Sequence, residues 1–211
     1  MSISSNTIQS NNDNSVPPAI LNQSFNDLEK WLATHNIPSY KAKQIIKWVH
    51  KEQVLDPNLM SDLSKTLRQK LSESFNWDPP DFSKPIISKD GCIKWLLNLP
   101  TGNKVETVFI PEKNRGTLCI SSQSGCALAC TFCSTGAQGF SGNLTSGEII
   151  GQVWFAKQQL LKLNPDQRII NVVFMGMGEP LLNFKAVVNA IDLMVHDLAY
   201  GLSKYKVTLS T

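Results

Sequence analysis

The sequence lacks a long apolar run, a large excess of charge of one sign and a secretory leader pattern. None of its apolar stretches approaches the ~18 residues that a membrane helix needs. Its N-terminus does not place basic residues before an apolar run, so we expect no signal peptide. Lys and Arg number 20 against 17 Asp and Glu, a balance that permits nucleic-acid binding without requiring it. We therefore expect a globular cytoplasmic protein that makes no membrane contact.

Histidine is scarce, at three residues, and the five cysteines are unevenly spread along the chain. An odd number of cysteines, in a chain of 211 residues without signs of export, argues against a disulfide framework. Three of the five, Cys126, Cys130 and Cys133, fall within eight residues. That clustering indicates a metal site.

Composition and apolar spacing divide the chain into four regions. Residues 1–23 begin with a stretch rich in Ser and Asn that has few bulky apolar side chains, so we predict a disordered polar tail. Residues 24–80 have helical spacing that the Pro79-Pro80 pair is expected to end, and residues 81–114 are predicted to form a β-hairpin linker. Residues 115–211 alternate strand and helix at about 30 residues a unit, which predicts a parallel sheet with right-handed crossovers.

Several elements of this last region are predicted from local signals. Thr145 and Glu148 form a capping-box signature that opens a helix through about Leu163. The apolar residues of that helix are Ile149, Ile150, Val153, Trp154, Leu160 and Leu161. A second helix is predicted from Phe184 to Leu198 and a strand from Tyr205 to Thr211.

The last predicted strand ends with the chain itself. A parallel sheet of three strands leaves an uncovered edge, and parallel sheets are normally covered on both faces. We therefore expect the 211 residues to be the N-terminal part of a longer protein.

The helical region contains two apolar repeats and one basic repeat. One buried helix face is predicted from the spacing of Ala42, Ile45, Ile46 and Val49. A second is predicted from Leu63, Leu67 and Leu71. Three lysines, called the lysine row below, repeat every fourth residue away from the first apolar face: Lys43, Lys47 and Lys51. The lysine row is either a solvated helix face or a set of phosphate contacts.

Residues 126–133, called the cysteine loop below, have the pattern Cys-x3-Cys-x2-Cys. Three thiolates from one short loop suit a 4Fe-4S cluster whose fourth iron is left for an external ligand. Zinc is the competing metal, but structural zinc prefers four protein ligands, and no second cysteine pair or nearby histidine is present in the sequence. Unligated buried cysteines are the remaining alternative.

The segment Gly-Met-Gly-Glu at residues 176–179, called the glycine–glutamate turn below, follows a β-branched run that predicts a buried strand. It fails as a dinucleotide-binding fingerprint, because Pro180 interrupts it and Leu181 replaces the third glycine. Glycines at the end of a strand allow the backbone to approach a ligand closely. The alternative interpretation is an ordinary tight turn between strand and helix.

Together, the cysteine loop with its aromatic Phe132 and the glycine–glutamate turn resemble the signature of the radical S-adenosylmethionine superfamily. The segments that carry a closer resemblance, to the RlmN family of dual-specificity RNA methyltransferases, are residues 105–111, 117–119, 125–136, 149–154, 176–183 and 207–211. The resemblance runs from about residue 25 to residue 211. It implies an α/β fold in which an N-terminal helical accessory domain that contacts RNA and a β-hairpin precede an incomplete (β/α) barrel, of which residues 115–211 are the first half.

This resemblance implies methylation of carbon 2 of an adenosine in 23S rRNA and of the adenosine beside the anticodon in certain tRNAs. Carbon 2 of adenine is not nucleophilic, so the family uses a radical route with two molecules of S-adenosylmethionine. One methylates a cysteine, and the other is cleaved to a 5′-deoxyadenosyl radical that takes a hydrogen from the new methyl group. The resulting carbon radical adds to the adenine, and a second cysteine releases the product through a transient disulfide. An external electron donor such as flavodoxin is implied, and we expect a monomer.

The family's functional residues map onto positions of this sequence. The cysteine loop would supply the three cluster ligands, and the methionine end of S-adenosylmethionine would be held by Gly178, Glu179 and Ser210. Glu106 would be the proton acceptor, or else a solvent-facing charge. Cys119 would be the resolving cysteine, or else a small core residue. The methyl-carrying cysteine has no counterpart here, so we predict that these 211 residues alone do not complete turnover.

Three other functions remain open at this stage. A Cfr-type relative would methylate carbon 8 of the same rRNA adenosine with the same cysteine loop. A non-catalytic RNA-binding module stabilised by a metal would not cleave S-adenosylmethionine. A simple electron-transfer protein is disfavoured, because no fourth cysteine stands at ferredoxin spacing.

Overall fold

The computed structural model describes residues 16–211. The α-helices in that range are α1 (Phe25–Thr34), α2 (Lys41–Ile46), α3 (Lys65–Ser74), α4 (Ser134–Ala137), α5 (Ser146–Leu163) and α6 (Phe184–Val195). The strands are β1 (Ile86–Ile87), β2 (Ile93–Asn98), β3 (Lys104–Glu112), β4 (Arg115–Cys119), β5 (Gln123–Gly125), β6 (Phe140–Asn143), β7 (Arg168–Phe174) and β8 (Val207–Leu209). Short 3-10 turns lie at Ile20–Asn22, Pro57–Leu59, Pro180–Asn183 and Lys204–Lys206, and a π turn at Lys47–Lys51 continues α2.

Six strands form one open sheet in the order β1-β2-β3-β4-β7-β8. Strands β4, β7 and β8 are parallel, which confirms the α/β class predicted from the alternating pattern. The β2–β3 hairpin is antiparallel, and β3 also pairs with β4, with Val108 opposite Cys119. The hairpin predicted for residues 81–114 therefore continues the sheet that the parallel strands begin. Strands β5 and β6 form a separate two-stranded hairpin around the cysteine loop.

The two faces of the large sheet differ because successive side chains on a strand point to opposite sides. One face is buried, and the ring of Trp95 on it meets Phe155 of α5 edge-on at 6.0 Å between centroids. The other face, called the open face below, carries residues that are only half-buried, among them Lys94, Glu106 and Cys119. The chemistry predicted for the sheet therefore lies on the side away from α5.

Both predicted apolar faces of the helical region are buried, at Ala42, Ile45, Ile46, Val49, Leu63, Leu67 and Leu71. Helix α3 ends at Ser74, shortly before the Pro79-Pro80 pair that was expected to end the helical region.

Part of the segment that was predicted to be a disordered polar tail is ordered in the structure. Ile20 and Leu21 are buried, and the Ile20 N–H donates to the carbonyl of Asn76 at 2.9 Å. Residues 16–23 are thus structured, while the rest of the predicted tail lies outside the described residues.

Helix α5 begins where its sequence signature predicted. Thr145 is the N-cap, and the side chains of Thr145 and Glu148 satisfy each other's backbone N–H groups in a capping box. Its predicted apolar face is buried except for Leu161, which is 44 % exposed near the helix end. Within residues 16–211, no helix combines the length and the apolar character needed to span a membrane.

Candidate cofactor and catalytic site

The carboxyl ends of the three parallel strands bring the predicted site residues to one edge of the sheet. Cys119 is the last residue of β4 and is paired with Val173 of β7, which in turn is paired with Thr208 of β8. The cysteine loop follows β4, the glycine–glutamate turn follows β7, and Ser210 comes directly after β8. In open α/β sheets, ligands bind outside such strand ends.

The cysteine loop is held between the β5–β6 hairpin and the short helix α4. The N–H of Cys126 donates to the carbonyl of Gly139 at 3.0 Å, which closes the loop at its base. Gly125 has a φ of +73°, and a Cβ there would collide with the Gly139 carbonyl, so this position requires glycine. Cys126 and Cys133 are half-buried, Cys130 is exposed, and the ring of Phe132 is 91 % exposed.

Cys133 occupies the N-cap of α4, and this position affects its thiol. Backbone N–H groups of Gly136 and, to a smaller extent, Thr135 hold the pKa of Cys133 below its ordinary value. The thiolate is the form of cysteine that binds metals. The residue types therefore fit an iron–sulfur cluster, since cysteine thiolates are the usual ligands of such clusters. In the part of the chain that the structure describes, no three His, Cys, Asp or Glu side chains lie close enough to hold a metal ion, so the three thiols are not preassembled.

The glycine–glutamate turn has a defined and constrained geometry. Gly178 has a φ of +92°, and a Cβ there would overlap the side chain of Gln123 and lie 2.7 Å from its backbone nitrogen. Glu179 is half-buried, and its Oε1 accepts the N–H of Leu181 at 3.0 Å. Its carboxylate thereby caps the 3-10 turn that follows. This arrangement fixes a carboxylate at the strand edge, where it could bind a cationic ligand group.

Glu106 and Cys119 are brought together on the open face. They lie on neighbouring strands, and because Val108 is opposite Cys119, the side chain of Glu106 is its diagonal neighbour. Burial raises the pKa of the Cys119 thiol, and the charge of Glu106 raises it further. A hydrogen bond from the backbone N–H of Met175 opposes these effects in part. Cys119 is therefore a protonated thiol at neutral pH.

Lys94 is part of this site and was not predicted from the sequence. Its Nζ lies 3.0 Å from Oε1 of Glu106, and both side chains are half-exposed. The sequence predicted that Lys94 and Glu106 lie on the two strands of one hairpin. Which side chains are neighbours across the hairpin depends on its register, and the turn sets that register.

Sequence reasoning also missed four buried polar residues around the site: Ser121, Gln123, Gln152 and Asn183. The amide of Gln152 accepts the N–H of Ser121 at 2.9 Å through Oε1 and donates to the Ser121 carbonyl at 2.9 Å through Nε2. The same Oε1 accepts the hydroxyl of Thr107 at 2.8 Å. A signal was available, because a glutamine interrupts the apolar stripe of α5 one turn after its capping box.

Ser121 connects the strand end to the glycine–glutamate turn. Its hydroxyl donates to the backbone carbonyl of Glu106 at 2.7 Å and accepts the N–H of Met177 at 2.9 Å. The backbones of β3, of the segment after β4 and of the turn after β7 are thus joined through one buried hydroxyl. Glu106, Cys119 and Glu179 are consequently held on one rigid framework.

The chain is similar in sequence and in fold to known proteins. A family model described as the N-terminal domain of ribosomal RNA large subunit methyltransferases matches residues 19–76. The chain is 51 % identical over 185 residues to a dual-specificity RNA methyltransferase RlmN of Marinobacter nauticus, covering 87 % of this chain and 50 % of that protein. The crystal structure of a radical SAM methyltransferase from Sphaerobacter thermophilus is similar with a TM-score of 0.81 and 33 % identity, over 92 % of this chain and 57 % of that one. The chain spans about half the length of the relatives it matches.

Proposed function

Because the chain belongs to the RlmN family, we propose that it is part of a radical S-adenosylmethionine enzyme that methylates RNA. One observation carries the proposal. The cysteine loop and the glycine–glutamate turn follow the neighbouring parallel strands β4 and β7, and the Glu179 N–H joins them by donating to Gln123 at 2.8 Å. A loop for a cluster and a turn for a cationic cofactor are thereby adjacent at the edge where such folds bind ligands.

The cofactor roles follow from the residue chemistry. Cys126, Cys130 and Cys133 would hold a 4Fe-4S cluster, which when bound supplies the electron for reductive cleavage of S-adenosylmethionine. The Glu179 carboxylate suits the ammonium group of the cofactor, and Gly178 lets the backbone approach it without a side chain. Ser210, exposed beyond the end of the neighbouring strand β8, would contribute a hydroxyl to the same ligand.

The catalytic roles belong to the open face. We assign Glu106 as the proton acceptor and Cys119 as the resolving cysteine. Lys94 fixes the Glu106 carboxylate through their 3.0 Å ion pair. Cys119 has a raised pKa, so its thiol stays protonated and unreactive until a base removes the proton.

The substrate proposed is RNA: an adenosine of 23S rRNA and the adenosine beside the anticodon of certain tRNAs, methylated at carbon 2. The helical domain over residues 24–80 would contact the RNA, and all three lysines of the lysine row are exposed on it. One of them, Lys47, is 3.9 Å from Glu52, a distant and exposed pair that RNA phosphates could displace. An external donor such as flavodoxin would supply the electron, and the enzyme would act as a monomer.

Electron paramagnetic resonance of the anaerobically reconstituted, reduced protein tests the cofactor proposal. We expect a 4Fe-4S signal that changes when S-adenosylmethionine is added. Replacing any cysteine of the cysteine loop by Ser should remove the iron, while Cys92→Ser, the matched control outside the loop, should retain it. A cluster signal indifferent to the cofactor would favour electron transfer alone, and folded protein that holds zinc instead of iron would contradict the enzyme proposal.

Nucleoside analysis tests the substrate proposal. RNA from cells that express the full-length enzyme of which this chain is proposed to be part should contain additional 2-methyladenosine, whereas expression of these 211 residues alone should add none. The appearance of 8-methyladenosine would instead identify Cfr-type chemistry, since both products add the same methyl mass but separate on chromatography.

A further inference from the structure

Two buried side-chain amides join the β5–β6 hairpin, which holds the cysteine loop, to the segment around the glycine–glutamate turn. Gln123, 1 % exposed, accepts the Glu179 N–H at 2.8 Å through Oε1 and donates to Oδ1 of Asn143 at 2.7 Å through Nε2. From the other side, Nδ2 of Asn183 donates to the carbonyls of Ser122 at 2.8 Å and Leu144 at 2.7 Å. Each segment therefore contributes one amide that bonds to the other segment.

Close backbone contact accompanies these bonds. The N–H groups of Ser122 and Gln123 both donate to the carbonyl of Met177, at 2.9 and 3.2 Å. Gly178 packs on Gln123 so tightly that no Cβ fits between them. The glycine–glutamate turn thus packs directly on Gln123, which lies three positions before Cys126.

We propose that Gln123 is a positioning residue, which sets the distance between the Glu179 carboxylate and the cysteine loop. This inference rests on the proposed function, in which one S-adenosylmethionine molecule contacts Glu179 and the cluster at the same time. A ligand held at two points requires each point to be fixed within about 0.5 Å. The Leu181 N–H orients the carboxylate through Oε1, and Gln123 holds the backbone of the same residue.

The test compares variants of Gln123 in the reconstituted protein by iron content and by the Kd of S-adenosylmethionine, measured by equilibrium dialysis. Gln123→Met keeps the length of the side chain but loses both hydrogen bonds, and should raise the Kd about tenfold or more with iron retained. Gln123→Glu keeps both hydrogen bonds, because burial favours the protonated carboxyl group, whose carbonyl oxygen accepts the Glu179 N–H and whose hydroxyl donates to Oδ1 of Asn143. Its Kd should stay within about threefold of wild type.

Gln167→Met is the matched control, because Gln167 is also buried and donates to the carbonyl of Arg115 at 2.8 Å, at the opposite end of the strands. It should leave the Kd unchanged. Asn143→Ala leaves Gln123 in place but removes the partner that orients its amide, and should raise the Kd by about threefold to tenfold with iron retained. This second variant decides the question if Gln123→Met does not fold.

Several results would overturn the positioning role: an unchanged Kd in Gln123→Met or in Asn143→Ala, an equal loss in Gln123→Glu and Gln123→Met, or an equal loss in the Gln167→Met control. Loss of iron in parallel with cofactor binding would assign Gln123 to folding of the loop and would also overturn it. Failure of the proposed function is distinguishable, since wild-type protein would then hold no iron or would not bind S-adenosylmethionine.

Discussion

Replacing Gln152 by Leu should strongly destabilise the protein, although the two side chains have similar volumes. Gln152 is fully buried, and its amide accepts from the Ser121 N–H and the Thr107 hydroxyl and donates to the Ser121 carbonyl. Leucine fills the space but satisfies none of these groups. The buried N–H of Ser121 and the hydroxyl of Thr107 would then have no acceptor.

The magnitude follows from the number of groups left without a partner. Each buried polar group that loses its partner costs about 1–3 kcal/mol, so the two donors and the Ser121 carbonyl together cost about 3–9 kcal/mol of unfolding free energy. In a domain of this size, a loss of about 3 kcal/mol lowers the Tm by roughly 6–12 °C. Thr107→Val removes only the hydroxyl and leaves Gln152 bonded to Ser121, so it should cost about 1 kcal/mol.

Urea denaturation of the two single variants and the double variant measures these costs. The double variant should be about 2–4 kcal/mol more stable than the sum of the single effects predicts, because it neither contains the unpaired Thr107 hydroxyl nor loses the Thr107–Gln152 bond a second time. A Gln152→Leu variant within about 0.5 kcal/mol of wild type would refute the reasoning. Strict additivity in the double variant would refute the assigned hydrogen bond.

Three further predictions concern titration, reactivity and RNA binding. Burial, aided by the charge of Lys157, lowers the pKa of His50 from 6.5 to about 3, so the unfolded imidazole takes up a proton below pH 6.5 while the folded one stays neutral. The contribution of His50 to the free energy of unfolding should therefore decrease by roughly 1 kcal/mol per pH unit as the pH falls from 6.5 towards 3. Urea denaturation at pH 7.5 and pH 5 should show a smaller loss of stability in His50→Phe than in the wild type, and equal losses would contradict this assignment. In the metal-free protein, iodoacetamide should modify Cys133 before Cys119, because the pKa of Cys133 is lowered and that of Cys119 is raised. Peptide mass spectrometry measures the order of modification, and the reverse order would contradict the environments assigned to the two thiols. Replacing the lysine row by Ala should weaken RNA binding and flatten its dependence on salt, whereas an unchanged salt slope would leave the row as a solvated helix face.

Local patterns in the sequence were sufficient for most elements of the fold. The capping box of Thr145 and Glu148 marked the start of α5, because a cap acts on the nearest turn of backbone. The Pro-Pro pair marked only the end of the helical region, since α3 already ends at Ser74. Element ends that lack such signals were less accurate. The last helix was expected to reach residue 198 but ends at Val195, and the last strand is limited to Val207–Leu209.

The motifs of the site could likewise be found without a structure, because the cysteine loop and the glycine–glutamate turn are each encoded within eight residues. Their chemistry depends on residue type and spacing alone. Their placement at neighbouring strand ends followed from the parallel topology that the alternating pattern predicted. The specific roles of Glu106, Cys119, Gly178, Glu179 and Ser210 remain proposals that the experiments above address.

Only the tertiary structure decided which distant side chains meet. The ion pair of Lys94 with Glu106 depends on the hairpin register, and the sequence pattern of a strand is nearly the same when its register is shifted by two residues. The amides of Gln123 and Gln152 read as ordinary polar residues in the sequence, yet both are buried and bonded to segments up to 56 residues away. The sequence by itself therefore determined the elements and the reactive groups, since these depend on neighbouring residues. Packing determined the framework that holds the groups together, because burial and hydrogen bonding between distant segments exist only in the folded chain.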